Sequence, residues 1–390
     1  MTQIIDKPGM CFELSEDHRM VRQMVADFAA EHVAPRAAYY DRTGEFPWDN
    51  IRKMAELGLM GVMVPPEYGG AGMDSLAYVL VIEEISRACA ATGVITAVQN
   101  SLAAYPIMKF GTEEQKKKYL PLLASGAKIG AYALTEPGSG SDSAAMLTRA
   151  ERVGDHWVLN GQKNWITNST AAEIFIVYAT LDPALYHKGI TCFIIEKDFP
   201  GFAVGKREET LGVRASGTCQ LILDGCRVPQ ENVLGAEGEG FKIAMATLDT
   251  GRVGIAAQAV GIAQAALDHA LRYAQERQQF KKPIAEFQLV QEMLVWMATH
   301  TEAARLMTYK AALKRDSGER FSMEASQAKW YASEVAMQAA LYAVQIHGGY
   351  GYSKEYPVER LMRDAKVTQI YEGTSEIQKL VIARNLLGKK

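Results

Sequence analysis

The sequence predicts a mainly α-helical protein with a β domain set into its middle, and three changes of pattern define that class. The opening stretch repeats its apolar residues at helical spacing. The middle stretch replaces that period with short runs of β-branched and aromatic side chains, the composition of strands. Long alanine-rich segments then restore the helical period to the end. These changes divide the 390 residues into an N-terminal α-helical domain over 1–127, a central β domain over 128–239 and a C-terminal helix-bundle domain over 240–390. A single hydrophobic core stops growing at about 250–300 residues, so a chain of this length is expected to build more than one.

In the first domain, Met20, Val21, Met24, Val25 and Phe28 form one face of a helix over Ser15–Phe28. Breaks follow at Pro35, between Gly44 and Pro47, and across the cluster from Pro65 to Gly72. Thr112 with Gln115 has the form of a capping box and predicts a helix start. In the second domain, Asn160-Gly161 between Trp157–Leu159 and Trp165-Ile166 reads as a hairpin turn. Ile174–Ala179, Ile190–Ile195 and Cys219–Leu223 read as further strands, together a compact barrel or sandwich. In the third, Ala256, Val260, Ala263, Leu267, Ala270 and Ala274 recur by three and four. Phe287, Val290, Leu294, Met297, Thr301 and Ala304 do the same, as do Ala325, Ala328, Ala332, Val335, Ala339, Tyr342 and Ile346. A fourth segment begins near Ser375, where Ser375 and Gln378 suggest another capping box. Four such helices are expected to close as a bundle.

Composition narrows the function. Forty-two basic and 45 acidic side chains leave a net charge of −3, with a pI near 6.2. That balance gives no general attraction to nucleic acid or to an anionic membrane, so an anionic ligand would need local arginines and backbone amides. The five cysteines (Cys11, Cys89, Cys192, Cys219 and Cys226) never fall in a CxxC spacing, which argues against a disulfide framework and a zinc site. The seven histidines make no HxxH or HExxH pattern, so no metal is expected. No apolar run is long enough to span a bilayer, and an N-terminus carrying Asp6, Glu13, Glu16 and Asp17 is unlike a transit or signal peptide. A cytoplasmic location is the expectation.

Two segments carry chemistry. Gly138-Ser139-Gly140-Ser141-Asp142-Ser143 lacks the third glycine and the βαβ setting of a dinucleotide fingerprint, which excludes a Rossmann reading; Gly238-Glu239-Gly240 fails the same test. Taken with its approach, Tyr132-Ala133-Leu134-Thr135-Glu136-Pro137-Gly138-Ser139-Gly140-Ser141-Asp142 puts backbone amides and small hydroxyls on one loop after an apolar strand. Such a loop can donate to a flat heteroaromatic ring or a pyrophosphate. Trp165, followed by Ile166 and Thr167, could stack on such a ring, although for a lone tryptophan core packing is the favoured reading. Near the C-terminus, Glu372 precedes Gly373 on a turn before the last helix, whose dipole would hold the carboxylate ionised by about 0.3–1 kcal/mol.

These segments, together with Gln345-Ile346-His347-Gly348-Gly349-Tyr350-Gly351, Tyr371-Glu372-Gly373-Thr374 and the run from Glu355 to Lys366, resemble the acyl-CoA dehydrogenases, in order and along essentially the whole chain. The resemblance is to the short-chain, butyryl-CoA dehydrogenase-like branch. It implies a helical domain, a central β-barrel and a C-terminal four-helix bundle, assembled as a homotetramer around FAD. It implies that Tyr132, Leu134, Thr135, Gly140, Ser141, Trp165, Ile166 and Thr167 hold the flavin. Arg277, Phe280, Gln288, Gln345, Gly348 and Gly349 would meet the FAD of a partner subunit, and Thr374 and Glu376 would border the cofactor. Ser141, Asp249, Arg252 and Gly373 would contact the acyl-CoA substrate.

The implied reaction belongs to fatty-acid β-oxidation. Glu372 removes the α-proton of the thioester, the β-hydrogen leaves as hydride to the flavin, and a trans-2-enoyl-CoA forms, with electrons passing to electron-transfer flavoprotein. The thioester carbonyl would be held by the glutamate's own N–H and a flavin ribityl hydroxyl. Isovaleryl- and long-chain relatives instead carry the base within the stretch matching Leu248–Arg252, where this chain has Gly251 and no base. Thr92-Gly93-Val94-Ile95 lacks the arginine with which glutaryl-type relatives bind a second carboxylate. Two positions depart from the family pattern. Lys281 replaces a glycine and is expected to resist a positive φ, and His347 replaces an aromatic residue. Rival readings are an acyl-CoA oxidase, which hands its electrons to oxygen, and a non-catalytic acyl-CoA-binding protein.

Overall fold

A computed structural model describes residues 13–388; Asp6 and Cys11 lie outside them. The N-terminal region holds α1 (Glu16–Phe28), α2 (Ala37–Thr43), α3 (Trp48–Glu56), α4 (Ser75–Ala88), α5 (Ala90–Ala97), α6 (Tyr105–Phe110) and α7 (Glu113–Ala124). A π-helical segment, Val98–Ala104, links α5 to α6. The Thr112–Gln115 capping box is complete, each side chain bonding the other's backbone N–H. Helix α4 is buried nearly all round because it runs through the middle of the molecule rather than over its surface.

The middle region is one eight-stranded sheet: β1 (Ile129–Ala133), β2 (Arg149–Val153), β3 (His156–Ile166), β4 (Ala172–Thr180), β5 (Ile190–Glu196), β6 (Phe202–Arg207), β7 (Cys219–Pro229) and β8 (Val233–Leu234). The order is β6-β7-β3-β2-β4-β5-β8, with β1 pairing parallel to β4. Asn160-Gly161 is not a hairpin turn, contrary to the sequence expectation. It lies inside β3, where Gly161 sits at φ +151° in a bulge against β7. A Cβ there would come within 2.5 Å of Thr148, and the Asn160 side chain accepts from the Gly225 N–H instead of turning the chain. The hairpin turn is Gly154-Asp155, between β2 and β3, with Gly154 at φ +64°.

The C-terminal region comprises α8 (Gly240–Glu276), α9 (Gln288–Asp316), α10 (Ser322–His347), α11 (Val358–Thr368) and α12 (Ser375–Leu386). Alanines let two of these approach closely: Ala256, Ala263 and Ala270 of α8 and Ala328, Ala332 and Ala339 of α10 are all fully buried. Close approach also joins α8 to α4, since a Cβ on Gly254 would collide with the Tyr78 hydroxyl at 2.2 Å. Helix α11 falls outside the four periodic segments read from the sequence. Pro357 opens it and only a few of its side chains are buried.

An ion-paired cluster ties three of these helices. Arg305 on α9 donates to Glu83 on α4 at 2.8 Å and to Gln264 on α8 at 2.7 Å, and the Tyr309 hydroxyl donates to the other oxygen of Glu83 at 3.1 Å. Glu83 is 2% exposed, so removing its cation leaves a charge with little solvent to accept it. Arg305→Met is therefore expected to cost about 3–5 kcal/mol of stability in urea denaturation, and a loss below about 1 kcal/mol would contradict this account.

Candidate active site

A cavity of about 180 Å³ opens where the three regions meet. Val94 of α5 with Val98 and Leu102 of the π-helical segment form one wall; Met245, Leu248 and Arg252 of α8 form another. Tyr132, Leu134, Thr135, Gly140 and Ser141 come from β1 and the loop after it, Trp165, Ile166 and Thr167 from the end of β3, and Tyr371, Glu372 and Gly373 from the turn before α12. A second, mainly apolar cavity of about 450 Å³ adjoins the first and shares Val94, Trp165, Thr167 and Tyr371 with it.

A buried ion pair fixes the loop after β1. Lys163, fully buried on β3, donates to Glu136 at 2.7 Å and to the Leu134 carbonyl at 3.2 Å. Glu136 also accepts from the N–H groups of Leu147 at 2.6 Å and Thr148 at 2.9 Å, closing the loop on itself. Burial pushes the Lys163 ammonium down to about 8 against the pull of Glu136. Burial alone would raise Glu136, but Lys163 and these donors outweigh it and hold the carboxyl below its usual range. Two residues beyond Lys163, Trp165 is 58% exposed at φ +61°, so its ring belongs to the cavity wall and not to the core.

Glu372 occupies a strained turn. Its φ is +53°, a left-handed conformation that costs a non-glycine residue about 1–2 kcal/mol, and Gly373 follows at +93°. Side chains from three helices clamp the turn's carbonyls. Gln378 of α12 donates to Glu372 at 3.1 Å and Gly373 at 2.8 Å, Lys329 of α10 to Gly373 at 2.7 Å, and Arg252 of α8 to Glu372 at 3.4 Å. The N-cap of α12 is Thr374, one residue before the expected Ser375: its hydroxyl accepts from Ile377 N–H, while Ser375 donates to Glu334. The two serine/threonine neighbours exchange roles because Glu334 on α10 offers Ser375 a stronger, charged acceptor.

Oε2 of the Glu372 carboxylate is buried and has no hydrogen-bond partner among the described residues. Burial pushes its pKa up to about 8, with Lys329 and Arg252 pulling it down. Desolvation thus outweighs the helix dipole that the sequence suggested would keep it ionised. Gly251 faces this carboxylate so closely that a Cβ there would lie 2.1 Å from Oε2.

Of the other expected residues, Ser141, Arg252 and Gly373 line the cavity with Glu372. Asp249 does not line it; it accepts from Arg252 at 2.8 Å and from Ser322, and so aims the guanidinium. Thr374 and Glu376 stand behind the turn, Thr374 as the N-cap of α12 and Glu376 exposed in its first turn. Arg277, Gly348 and Gly349 gather around a separate cavity of about 580 Å³, Arg277 lying over the Tyr350 ring. Phe280, Gln288 and Gln345 are exposed and do not line it. None of these six lines the Glu372 cavity.

Lys281 does adopt a positive φ, +67°, next to Phe280 at +51°, so the expected resistance is overcome by the tight ribbon between Gln278–Gln279 and Lys282–Pro283. His347 is buried, stacked on Tyr273 with ring centroids 4.2 Å apart. Sequence reasoning missed Lys329, whose one signal was a lone charge in the alanine stripe of α10. It also missed the apolar walls Val98, Leu102, Met245 and Leu248, which look like any core residues until the fold gathers them.

The described residues contain no helix long and apolar enough to cross a membrane and no cluster of metal-binding side chains. Family models for the N-terminal, middle and C-terminal domains of acyl-CoA dehydrogenases match residues 15–127, 131–226 and 238–387. The chain is 54% identical to an acyl-CoA dehydrogenase of Bacillus subtilis, covering 96% of this chain and 99% of that one. It is 51% identical to a short-chain specific acyl-CoA dehydrogenase of Clostridium acetobutylicum, with the same coverage. The butyryl-CoA dehydrogenase of Megasphaera elsdenii superposes with a TM-score of 0.95 at 45% identity, covering 97% of this chain and all of that one.

Because the Glu372 pKa in the fold lies above its unfolded value, the folded state retains a proton that the unfolded chain releases. Stability is greatest below the ordinary carboxylate range and falls as pH rises towards about 8. Glu372→Gln should flatten this decline in thermal melts across pH. Parallel curves for the two proteins would show that the carboxyl is not desolvated.

Proposed function

The chain belongs to the acyl-CoA dehydrogenase family, and from that premise we propose that it oxidises a short-chain acyl-CoA to its trans-2-enoyl-CoA with Glu372 as the base. It is an FAD-dependent oxidoreductase. The residues present suit that cofactor. An exposed Trp165 ring forms part of the wall between two joined cavities, Gly138 and Gly140 leave open space beside the loop, and Gln378 Oε1 is buried without a partner. Tyr132, Leu134, Thr135, Gly140, Ser141, Trp165, Ile166 and Thr167 would hold it. Bound FAD supplies the acceptor for the hydride that leaves the β-carbon.

The observation that carries the assignment is Glu372 itself: a carboxylate with one buried, unpartnered oxygen, facing a glycine and set among apolar side chains. Proton removal from a thioester α-carbon needs a base matched to a weak acid, and desolvation makes Glu372 a stronger base than an exposed carboxylate. Its backbone N–H, which has no partner among the described residues, is available to the thioester carbonyl, where negative charge develops. Arg252, oriented by Asp249, adds positive charge at the same end of the cavity. Val94, Val98 and Leu102 bound the acyl end and favour a short chain, each buried methylene adding about 0.8 kcal/mol only while the space lasts.

The group around Arg277, Phe280, Gln288, Gln345, Gly348 and Gly349 lies away from the Glu372 cavity. This supports a homotetramer in which each subunit lends that surface to a neighbour's FAD, and electron-transfer flavoprotein is the proposed acceptor. The rival oxidase reading differs only in that acceptor, so turnover with oxygen against electron-transfer flavoprotein separates the two.

Glu372→Gln should retain FAD at wild-type stoichiometry and lose flavin bleaching by butyryl-CoA by about 10²–10⁴-fold. A variant that bleaches at the wild-type rate removes Glu372 from the chemistry. For wild type, kcat/KM should climb with pH through a limb above the ordinary carboxylate range. In an anaerobic panel of CoA thioesters, butyryl-CoA should fade the yellow colour faster than octanoyl-CoA, and the reverse order would exclude the short-chain assignment.

A further inference from the structure

Lys329 is a fully buried cation that the proposed reaction has not used. It sits on α10 among Ala325, Ala328 and Ala332, a stripe that packs α10 into the bundle. A buried ammonium costs several kcal/mol unless something offsets it, and its three N–H groups need acceptors. Its hydrogen bond goes to the Gly373 carbonyl, 2.7 Å away, on the turn that carries Glu372. The charged groups around it come from every neighbouring element: Glu372 on the turn, Arg252 with its Asp249 partner on α8, Glu334 on α10 and Glu376 on α12. Glu334 is engaged elsewhere, accepting from Ser375 and Gln369, and Glu376 is exposed, which leaves Glu372 as the carboxylate the ammonium can serve.

The turn needs holding. Glu372 at φ +53° relaxes unless its peptide groups are fixed from outside, and Lys329 supplies the shorter of the two bonds to the Gly373 carbonyl. We propose that Lys329 is a positioning residue for proton abstraction: it pins the Glu372–Gly373 turn through the Gly373 carbonyl and places a positive charge behind the base. This inference rests on the reading of Glu372 as the base. Burial drives Lys329 down to about 7 and Glu372 up to about 8, and each charge favours the ionised form of the other, so the two titrate as a linked pair.

The test uses the FAD-loaded enzyme and two substitutions. Lys329→Met keeps the length of the side chain and removes both donor and charge; Lys329→Gln keeps a donor and removes the charge. Both should bind FAD as wild type does. With butyryl-CoA under anaerobic conditions, Lys329→Met should slow bleaching by about 10- to 100-fold with little change in half-saturation, and Lys329→Gln should recover part of that loss. Infrared difference spectra of the oxidised, substrate-free enzyme, referenced to Glu372→Gln, should show the Glu372 carboxyl titrating about one pH unit higher in both variants. An unmoved midpoint overturns the proposal even if the rate falls, since a packing defect would give that pattern. If Lys329→Met does not fold, the midpoint in Lys329→Gln decides alone. Wild-type enzyme that butyryl-CoA leaves yellow defeats the acyl-CoA reading; variants that match a bleaching wild type defeat this inference only.

Discussion

Keeping one carboxylate out of water is the demand around which the centre of this molecule is arranged. Glu372 is basic because it is desolvated, and desolvation is unfavourable for the very charge that makes it a base. The fold offsets that cost indirectly. Neither Lys329 nor Arg252 forms an ion pair with the carboxylate; both bond to backbone carbonyls of its turn and act on the charge from behind. A direct ion pair would hold Glu372 ionised but would also occupy the oxygen that the proposed reaction needs free. The unpartnered Oε2 is the consequence.

The same device appears on the opposite side of the cavity. Lys163 is as buried as Lys329, and it too bonds a backbone carbonyl, that of Leu134, while neutralising a carboxylate. There the ion pair is direct, because Glu136 has a structural task and no proton to move. It closes the loop that carries Thr135, Gly140 and Ser141 and anchors the end of β3 that carries Trp165. Both lysines fix a glycine-bearing segment as a cavity wall, one beside Trp165 and one beside Glu372. Around Lys329, the buried alanines of α10 pack the helix closely against its neighbours.

Much of this was legible in the sequence. The α, β, α order follows from periodicity, and helix starts such as Thr112–Gln115 follow from cap chemistry that depends on four adjacent residues. Errors arose where a local signal was reassigned by a distant partner. Asn160-Gly161 reads as a turn until Gly225 and Thr148 claim its groups, and Ser375 reads as a cap until Glu334 does. Glu372 was found through its motif, but its electrostatics were misjudged, because the dipole is a local effect and burial is not. Lys329 was invisible for the same reason: forty-three positions separate it from Glu372 in the chain, while folding brings its amino group to the next residue's carbonyl.

Gly251 shows how far packing constrains the chemistry. A base could in principle be supplied from α8 or from the turn before α12, since both face the same space. A Cβ on residue 251 would stand 2.1 Å from the Glu372 carboxylate, well inside van der Waals contact, so a side chain there would push the carboxyl end of Glu372 out of its present position. The glycine at 251 and the placement of the glutamate at 372 therefore belong together. The strained φ at Glu372 belongs to the same solution: the left-handed turn brings the carboxylate over the helix, and the missing Cβ below gives it room. Moving the base to α8 would take more than adding an acid there. It would require the Glu372 carboxyl to swing aside, away from the position in which Gln378, Lys329 and Arg252 now hold its turn.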